Sequence, residues 1–249
     1  MWDKPALMNS VANALYAAAA LLVIGVAAWY AARLPAFAVR EVRVGGDLKH
    51  VTRDQVEDVV KRAVRGGFFT VDLAATRAAF ERLPWVRGAN VRRQWPARLD
   101  VALEEHVPFA RWADQALVNT HGEVFQAAFE GDLPVFRGPE GAAREIAIQY
   151  RYFQRSLGAI GETPVQVQVT PRRAWQVKLG SGTTLELGRE HIEARLSRFV
   201  ALHARTIGAL GRRIDYVDLR YANGFAVRIP ELRHEKSEPA RGTKAGKKT

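Results

Sequence analysis

Residues 89–105 read ANVRRQWPARLDVALEE, two runs of alternating residue character separated by a short proline-containing segment. In the second run Leu99 and Leu103 would lie on one face of a strand and Asp100 on the other, because successive side chains of a strand point to opposite faces. The pattern therefore predicts a β-hairpin. Its predicted elements are strands at 89–94 and 99–105 and a turn at 95–98.

Two amphipathic helices are predicted directly before this hairpin. Thr52 and Gln55 have the spacing of a capping box at the start of the first helix, and Asp72 is a suitable N-cap for the second. The predicted elements are a strand at 38–44 and helices at 53–65 and 73–82. The order strand, helix, helix, strand, strand predicts a small α+β domain whose helices cover one face of a three-stranded sheet.

An uncharged segment precedes this domain. Residues 11–32 read VANALYAAAALLVIGVAAWYAA, and a helix needs about 20 such residues to cross a hydrocarbon core of about 30 Å. We therefore expect a transmembrane helix at 12–34. A cleaved signal peptide is the alternative, since residues 36–38 read AFA and resemble a cleavage site.

The positive charges that flank this helix carry a topology signal of their own. Lys4 and the amino terminus precede the uncharged segment 11–32, whereas Arg33, Arg40 and Arg43 follow it. By the positive-inside rule this count favours the large part of the chain in the cytoplasm, although the rule weakens when a long domain follows.

Short strands punctuated by glycine follow Pro108. The Asn223-Gly224 pair is a strong signal for a tight hairpin between the last two strands. We expect a second, mostly antiparallel β-domain with flanking helices. Its predicted strands are 117–120, 123–125, 132–136, 165–169, 174–179, 183–187, 215–221 and 225–229, and its predicted helices are 142–157 and 190–206.

The last predicted strand, 225–229, reads FAVRI and contains a single charged residue, Arg228. A terminal strand presents a row of unpaired backbone N–H and C=O groups, which soluble proteins normally cover or interrupt. Such an edge suits β-augmentation, in which a partner segment adds a strand to the sheet.

The charge balance is strongly basic, with 37 Lys and Arg against 26 Asp and Glu, for a net charge of +11. This balance fits nucleic acid, anionic lipid or an acidic protein, and does not choose among them. Part of it lies in a tail at 231–249, which lacks apolar periodicity and is predicted to be disordered. The remaining arginines are scattered and lack an aromatic stacking platform, so we expect no nucleic-acid partner.

No motif in the sequence indicates catalysis, and we expect no enzyme activity, metal or cofactor. The chain has no cysteine, which excludes disulfides, cysteine-ligated zinc and thiol catalysis. The six histidines do not have metal-ligand spacing. Glu104 and Glu105 are neighbours on a predicted strand and point to opposite faces, so they cannot act as a carboxylate pair.

Several stretches together resemble the FtsQ/DivIB family of bacterial cell division proteins, in the family's order. They are LPWV at 83–86, VRRQWPARLDV at 91–101, EHVPFARW at 105–112, GEVF at 122–125, LPVFRGP at 133–139, LGR at 187–189 and YVDLRYANG at 216–224. The resemblance implies a non-enzymatic scaffold of the divisome that links early and late division proteins at the septum.

The resemblance also implies an architecture. The protein would be a single-pass type II protein of the inner membrane, with its N-terminus in the cytoplasm and its bulk in the periplasm, against the charge count. A polypeptide-transport-associated (POTRA) domain, β-α-α-β-β, would precede the β-domain. The implied segments are cytoplasmic 1–11, transmembrane 12–34, POTRA 37–107, β-domain 108–230 and basic tail 231–249.

The family resemblance finally implies partners. FtsB and FtsL would bind the C-terminal edge strand, and the POTRA domain and membrane helix would contact other divisome proteins. The implied binding residues are Arg172, Arg220, Tyr221, Asn223, Gly224 and Ile229. Two alternatives stay open: the aromatic residues of this region are ordinary sheet residues, or the protein is a POTRA-type chaperone or secretion component that binds client β-strands.

Overall fold

The computed structural model describes residues 5–31, 37–206, 208 and 212–230. The predicted tail at 231–249 lies outside the described residues. The chain divides into two compact units between His106 and Val107, and each is described by itself.

Helix α1 spans Pro5–Ala31. It begins seven residues earlier than the predicted membrane helix, and residues 32–34 lie outside the described part of the chain. Its section Asn9–Ala31, 23 residues, is long and apolar enough to cross a membrane. At a rise of about 1.5 Å per residue this section spans about 35 Å, more than a hydrocarbon core.

The first domain has the predicted order of elements, with a three-stranded sheet in the order β1-β3-β2. The central strand β3 is parallel to β1 and antiparallel to β2. The elements are β1 Glu41–Gly45, α2 Arg53–Ala63, α3 Leu73–Phe80, β2 Val86–Gln94 and β3 Arg98–Glu105.

Both predicted helix caps are confirmed. The Thr52 side chain accepts a hydrogen bond from the backbone N–H of Gln55, and the Gln55 side chain accepts one from the N–H of Thr52 at 3.1 Å. Asp72 accepts from the N–H of Ala75 at 2.9 Å. These bonds satisfy N–H groups that a helix start otherwise leaves unpaired.

The alternation that predicted β3 is also confirmed, since Leu99, Val101 and Leu103 are all buried. Val101 and Leu103 pack in one core with Phe80 of α3 and Val59 of α2. The helices therefore cover the apolar face of the sheet.

The second domain is built on a nine-stranded sheet in the order β12-β11-β10-β9-β8-β7-β4-β5-β6. The pairs β4–β7, β7–β8 and β10–β11 are parallel and the other five are antiparallel. The strands are β4 Pro108–Trp112, β5 Ala116–Asn119, β6 Val124–Phe125, β7 Val135–Arg137, β8 Pro164–Val169, β9 Trp175–Leu179, β10 Thr184–Gly188, β11 Tyr216–Asp218 and β12 Ala226–Arg228.

Strand β4 is the one that sequence reasoning missed. It begins at Pro108, which reads as a break between domains, yet a proline is tolerated as the first residue of a strand. The strand is held by partners on both sides, β5 and β7, which the sequence around it does not reveal.

Two helices pack on this sheet, α4 at Ala143–Gly158 and α5 at Ile192–His203. Helix α4 buries Ile146, Phe153 and Leu157 in the core, at helical spacing, and α5 buries Leu196 and Phe199. The two helices contact each other.

Candidate functional site at the edge of the second sheet

The last strand, β12, lies at the edge of the nine-stranded sheet. Among the described residues it pairs only with β11, in the antiparallel register Val217↔Val227. Phe225, Val227 and Ile229 are half-buried against the domain core, whereas Ala226 and Arg228 are exposed. The outer side of β12 therefore presents backbone groups without a neighbouring strand in the described part of the chain.

The connection between β11 and β12 is wider than the predicted tight hairpin. Residues 219–225 lie between the strands, and neither Asn223 nor Gly224 has the positive φ that a two-residue turn of this type requires. The two strands are also shorter than the predicted 215–221 and 225–229, since they span Tyr216–Asp218 and Ala226–Arg228.

Two contacts from α5 explain the wider loop. The Arg198 guanidinium donates hydrogen bonds to the carbonyl oxygens of Tyr221, at 2.7 Å, and of Ala222. The rings of Phe199 and Phe225 meet edge to face at 5.9 Å. The loop is thus fixed to the helix instead of continuing the ladder of the sheet.

Arg220, at the start of this loop, is fixed by Asp218. Its guanidinium donates two hydrogen bonds to that carboxylate, from Nε at 2.9 Å and from Nη2 at 2.6 Å, and its backbone N–H donates a third at 3.0 Å. The Arg220 hydrogen bonds lower the pKa of Asp218 and the paired carboxylate raises that of Arg220. The Arg220 side chain nevertheless stays 56% exposed.

Arg172 and Arg220 line one groove of about 700 Å³, formed by the β8–β9 turn, the end of β10 and the loop after β11. Both residues belong to the predicted set of binding residues, but sequence reasoning missed two further arginines of the groove, Arg189 and Arg195. Arg189 belongs to the LGR stretch, which was the available signal. Four arginines and two glutamates, Glu186 and Glu190, line the groove, which is therefore positively charged.

Gly188 makes the close approach of these side chains possible. Its φ is +76°, and a Cβ at this position would lie 2.9 Å from Arg195 Nη1 and 3.1 Å from Arg220 Cγ. Arg195 Nη1 also donates a hydrogen bond to the carbonyl of Leu187, at 2.6 Å. The positive φ thus favours glycine, and any larger residue would in addition displace the Arg195 and Arg220 side chains.

The other predicted site residues surround this groove and the edge. Tyr221 is 58% exposed and Asn223 is exposed, both in the loop. Gly224 is half-buried just before β12, and Ile229 follows the strand with its side chain against the core. Arg172 and Arg220 line the same groove. The other four predicted site residues lie along the adjoining loop and edge.

The exposed face of the edge pair carries one further contact. The Arg228 guanidinium lies 5.2 Å from the centroid of the Tyr216 ring, its cross-strand partner. Burial raises the pKa of Tyr216, and the carboxylates of Glu186 and Asp218 add to the rise. Tyr216 is therefore a neutral ring that supports the strand next to the edge.

No group of three or more histidine, aspartate or glutamate side chains is placed to hold a metal ion in the part of the chain that the structure describes. The site at the edge is instead a strand with an open side, a fixed loop and a basic groove.

Comparisons with known proteins match both domains. The model of the C-terminal domain of cell division protein FtsQ/DivIB matches residues 110–220, and the model of the FtsQ-type POTRA domain matches residues 37–106. The cell division protein FtsQ of Nitrosospira multiformis is 48% identical over 92% of this chain and 99% of that protein. The FtsQ proteins of Burkholderia pseudomallei, 42% identical over 94% and 96%, and of Neisseria gonorrhoeae, 33% identical over 94% and 100%, are also similar.

Proposed function

Because the chain belongs to the FtsQ/DivIB family of cell division proteins, we propose that it is a non-enzymatic divisome scaffold that binds FtsB and FtsL through β12. The observation that carries this proposal is the open side of β12 beside a basic groove. A partner strand that pairs with β12 gains affinity from main-chain hydrogen bonds and specificity from its alternate side chains.

The arginines have different roles in this proposal. Arg220 already shares its charge with Asp218, so its first role is to hold the loop and shape the groove. Arg172 is exposed in the β8–β9 turn and supplies a charge for a carboxylate of the partner. Tyr221, exposed beside the groove on a backbone fixed by Arg198, provides an aromatic anchor.

The rest of the chain anchors and recruits. Helix α1 crosses the inner membrane once, with the N-terminus in the cytoplasm and both domains, at 37–107 and 108–230, in the periplasm at the septum. The POTRA domain and α1 contact other divisome membrane proteins. A reporter that works only after export should be active when it is fused after Ile229. Activity of a reporter that works only in the cytoplasm would overturn this topology.

Co-purification of the full-length protein with the exported part of FtsB tests the binding site. Tyr221→Ala and Arg172→Glu should each raise the Kd about 5- to 30-fold, as expected for a loss of about 1–2 kcal/mol at an interface anchor. Arg155→Glu is the matched control, because Arg155 is an exposed arginine of the same domain, on α4. Equal binding by all three variants would reject the site.

A further inference from the structure

The first domain carries a partly exposed group of aromatic rings, here called the aromatic cluster, which consists of Phe37, Phe68, Phe69 and Trp95. Ring centroids lie 5.2 Å apart for Phe37–Phe69 and Phe68–Phe69 and 5.6 Å apart for Phe68–Trp95. Phe68 is buried beneath the others, whereas Phe69 is 48% and Trp95 64% exposed. The cluster joins three segments that are distant in the sequence, and the partner site proposed at β12 does not include it.

The cluster is held in place by the backbone. The N–H of Phe68 donates to the carbonyl of Phe37 at 2.6 Å, and Ala38 forms an isolated bridge with Gly67. Arg93 donates from Nε to the carbonyl of Phe68 and from Nη2 to that of Val71, both at 2.7 Å. These hydrogen bonds fix the loop on two sides. The exposed position of the rings is therefore part of the folded structure.

The position of the cluster in the chain indicates what covers it. Phe37 follows Ala31, the last described residue of the apolar helix α1, by six peptide steps. Fully extended, these steps span at most about 22 Å. The cluster is thus tethered close to the surface of any membrane that α1 crosses, and Trp and other aromatic rings favour the interface between lipid and water.

Two cations near the cluster add to this chemistry. Arg40 follows Phe37 by three residues and Arg65 precedes the loop of Phe68, and both are exposed. The backbone N–H of Arg40 donates to the carbonyl of Ala97, in the same turn as Trp95, at 2.8 Å. Basic side chains beside interfacial aromatic rings favour anionic lipid headgroups.

We propose that the aromatic cluster docks on the membrane that α1 crosses, with Phe69 and Trp95 in the headgroup layer and Arg40 and Arg65 facing lipid phosphates. This inference rests on the membrane anchoring in the proposed function. It assigns the first domain a second, non-covalent attachment to the bilayer, which fixes the face that the domain turns toward lipid.

The absence of cysteine from the chain makes a direct test possible, since one introduced cysteine carries the only label. A nitroxide at Gln94→Cys, an exposed position next to Trp95, reports on the cluster without removing a ring. Asp47→Cys, with a side chain 90% exposed in the same domain, is the aqueous control. Val23→Cys in α1 reports on anchoring separately. Full-length protein is reconstituted in vesicles of phosphatidylcholine and phosphatidylglycerol.

The expected result is that collisions of the Gln94 label with oxygen exceed those with a water-soluble nickel chelate several-fold, while the Asp47 label favours the nickel chelate. Phe69→Ser with Trp95→Ser should return the Gln94 label to the aqueous value and leave the Val23 label unchanged. Because both rings are exposed, the double variant should keep its fold. Thermal unfolding of the double variant checks this.

An aqueous Gln94 label in the unsubstituted background, with the Val23 label in hydrocarbon, would overturn the lipid assignment and leave the cluster to a protein partner. An aqueous Val23 label would instead contradict the anchoring itself. The two failures are therefore distinguishable.

Discussion

Each domain contains a nearly buried carboxylate, and the two are used differently. In the first domain Glu105, with its side chain 6% exposed, accepts hydrogen bonds from the backbone N–H groups of Lys49, His50 and Val51, at 2.7–3.2 Å. In the second domain Asp218, with its side chain 11% exposed, binds the guanidinium of Arg220.

Glu105 serves the fold of its domain, whereas Asp218 serves the candidate binding site. Glu105 satisfies backbone groups of its own domain and contacts His50 Nδ1 at 3.3 Å, so its carboxylate acts within the fold of that domain. Asp218 holds the Arg220 guanidinium, which stays more than half exposed in the basic groove. A nearly buried carboxylate here positions a side chain of the candidate binding surface. Changes at Glu105 should therefore alter stability, and changes around Arg220 should alter stability and partner binding together.

Glu105→Ala should have the largest effect. It leaves three backbone N–H groups without their acceptor, and the first domain should lose about 3 kcal/mol of its free energy of unfolding. Urea unfolding of the full-length protein in detergent measures this loss, with the protease sensitivity of each domain at each urea concentration as the readout. Glu104→Ala is the matched control, because the neighbouring Glu104 is exposed and its carboxylate pairs with Arg87. Similar losses in both variants would show that Glu105 does not hold the 49–51 segment.

Gly188→Ala should have the next largest effect, and in the second domain. The alanine adopts a strained positive φ and meets Arg195 and Arg220, so a loss of about 2 kcal/mol is expected, together with weaker capture of FtsB. Gly182→Ala separates the two causes, since Gly182 also has a positive φ, +92°, but faces open space. If both variants bind FtsB equally well, the close packing at Gly188 does not shape the site.

A smaller effect should follow from protonation of Glu105. Burial favours its neutral form, but the hydrogen bonds from Lys49, Val51 and His50 outweigh burial and lower its pKa. A lowered folded-state pKa means that stability is present above the pKa of the unfolded chain and is lost as pH falls through the folded value. Unfolding of the first domain measured from neutral to acidic pH should show this loss, and Glu105→Gln should flatten it. An unchanged pH profile in that variant would contradict the assignment.

Asn223→Ala should have the smallest effect on stability, below about 0.5 kcal/mol, because Asn223 is exposed and does not have a positive φ. A tight hairpin turn would depend on this residue. Thermal unfolding of the second domain decides between the two, and a loss above 1 kcal/mol would favour the tight turn.

Local signals in the sequence were sufficient for much of the fold. The capping box of Thr52 and Gln55 and the alternation from Leu99 to Leu103 act between near neighbours, and both are confirmed. Strand β4 and the loop before β12 depend on distant segments. Arg198, 23 residues before Tyr221, holds that loop, and no pattern around Asn223 and Gly224 contains this information.

The same limit applies to the candidate site and to the aromatic cluster. Arg172 and Arg220 were predicted from the family resemblance. Arg189 had a sequence signal in the LGR stretch, whereas Arg195 of α5 is placed at the groove only by the tertiary structure. Phe37 and Trp95 are separated by more than half of the first domain's sequence, so their common surface is a property of the tertiary structure.

Strand addition at β12 is tested most directly by amide hydrogen exchange of the full-length protein with and without FtsB and FtsL. Exchange of the outward-facing amide of β12, within Ala226–Arg228, should slow at least about tenfold in the complex, as expected for an amide that gains a stable strand partner. Strand β6, at the opposite edge of the same sheet, should not change. Protection at β6 instead of β12, or unchanged exchange at β12 in a complex that has formed, would contradict the account.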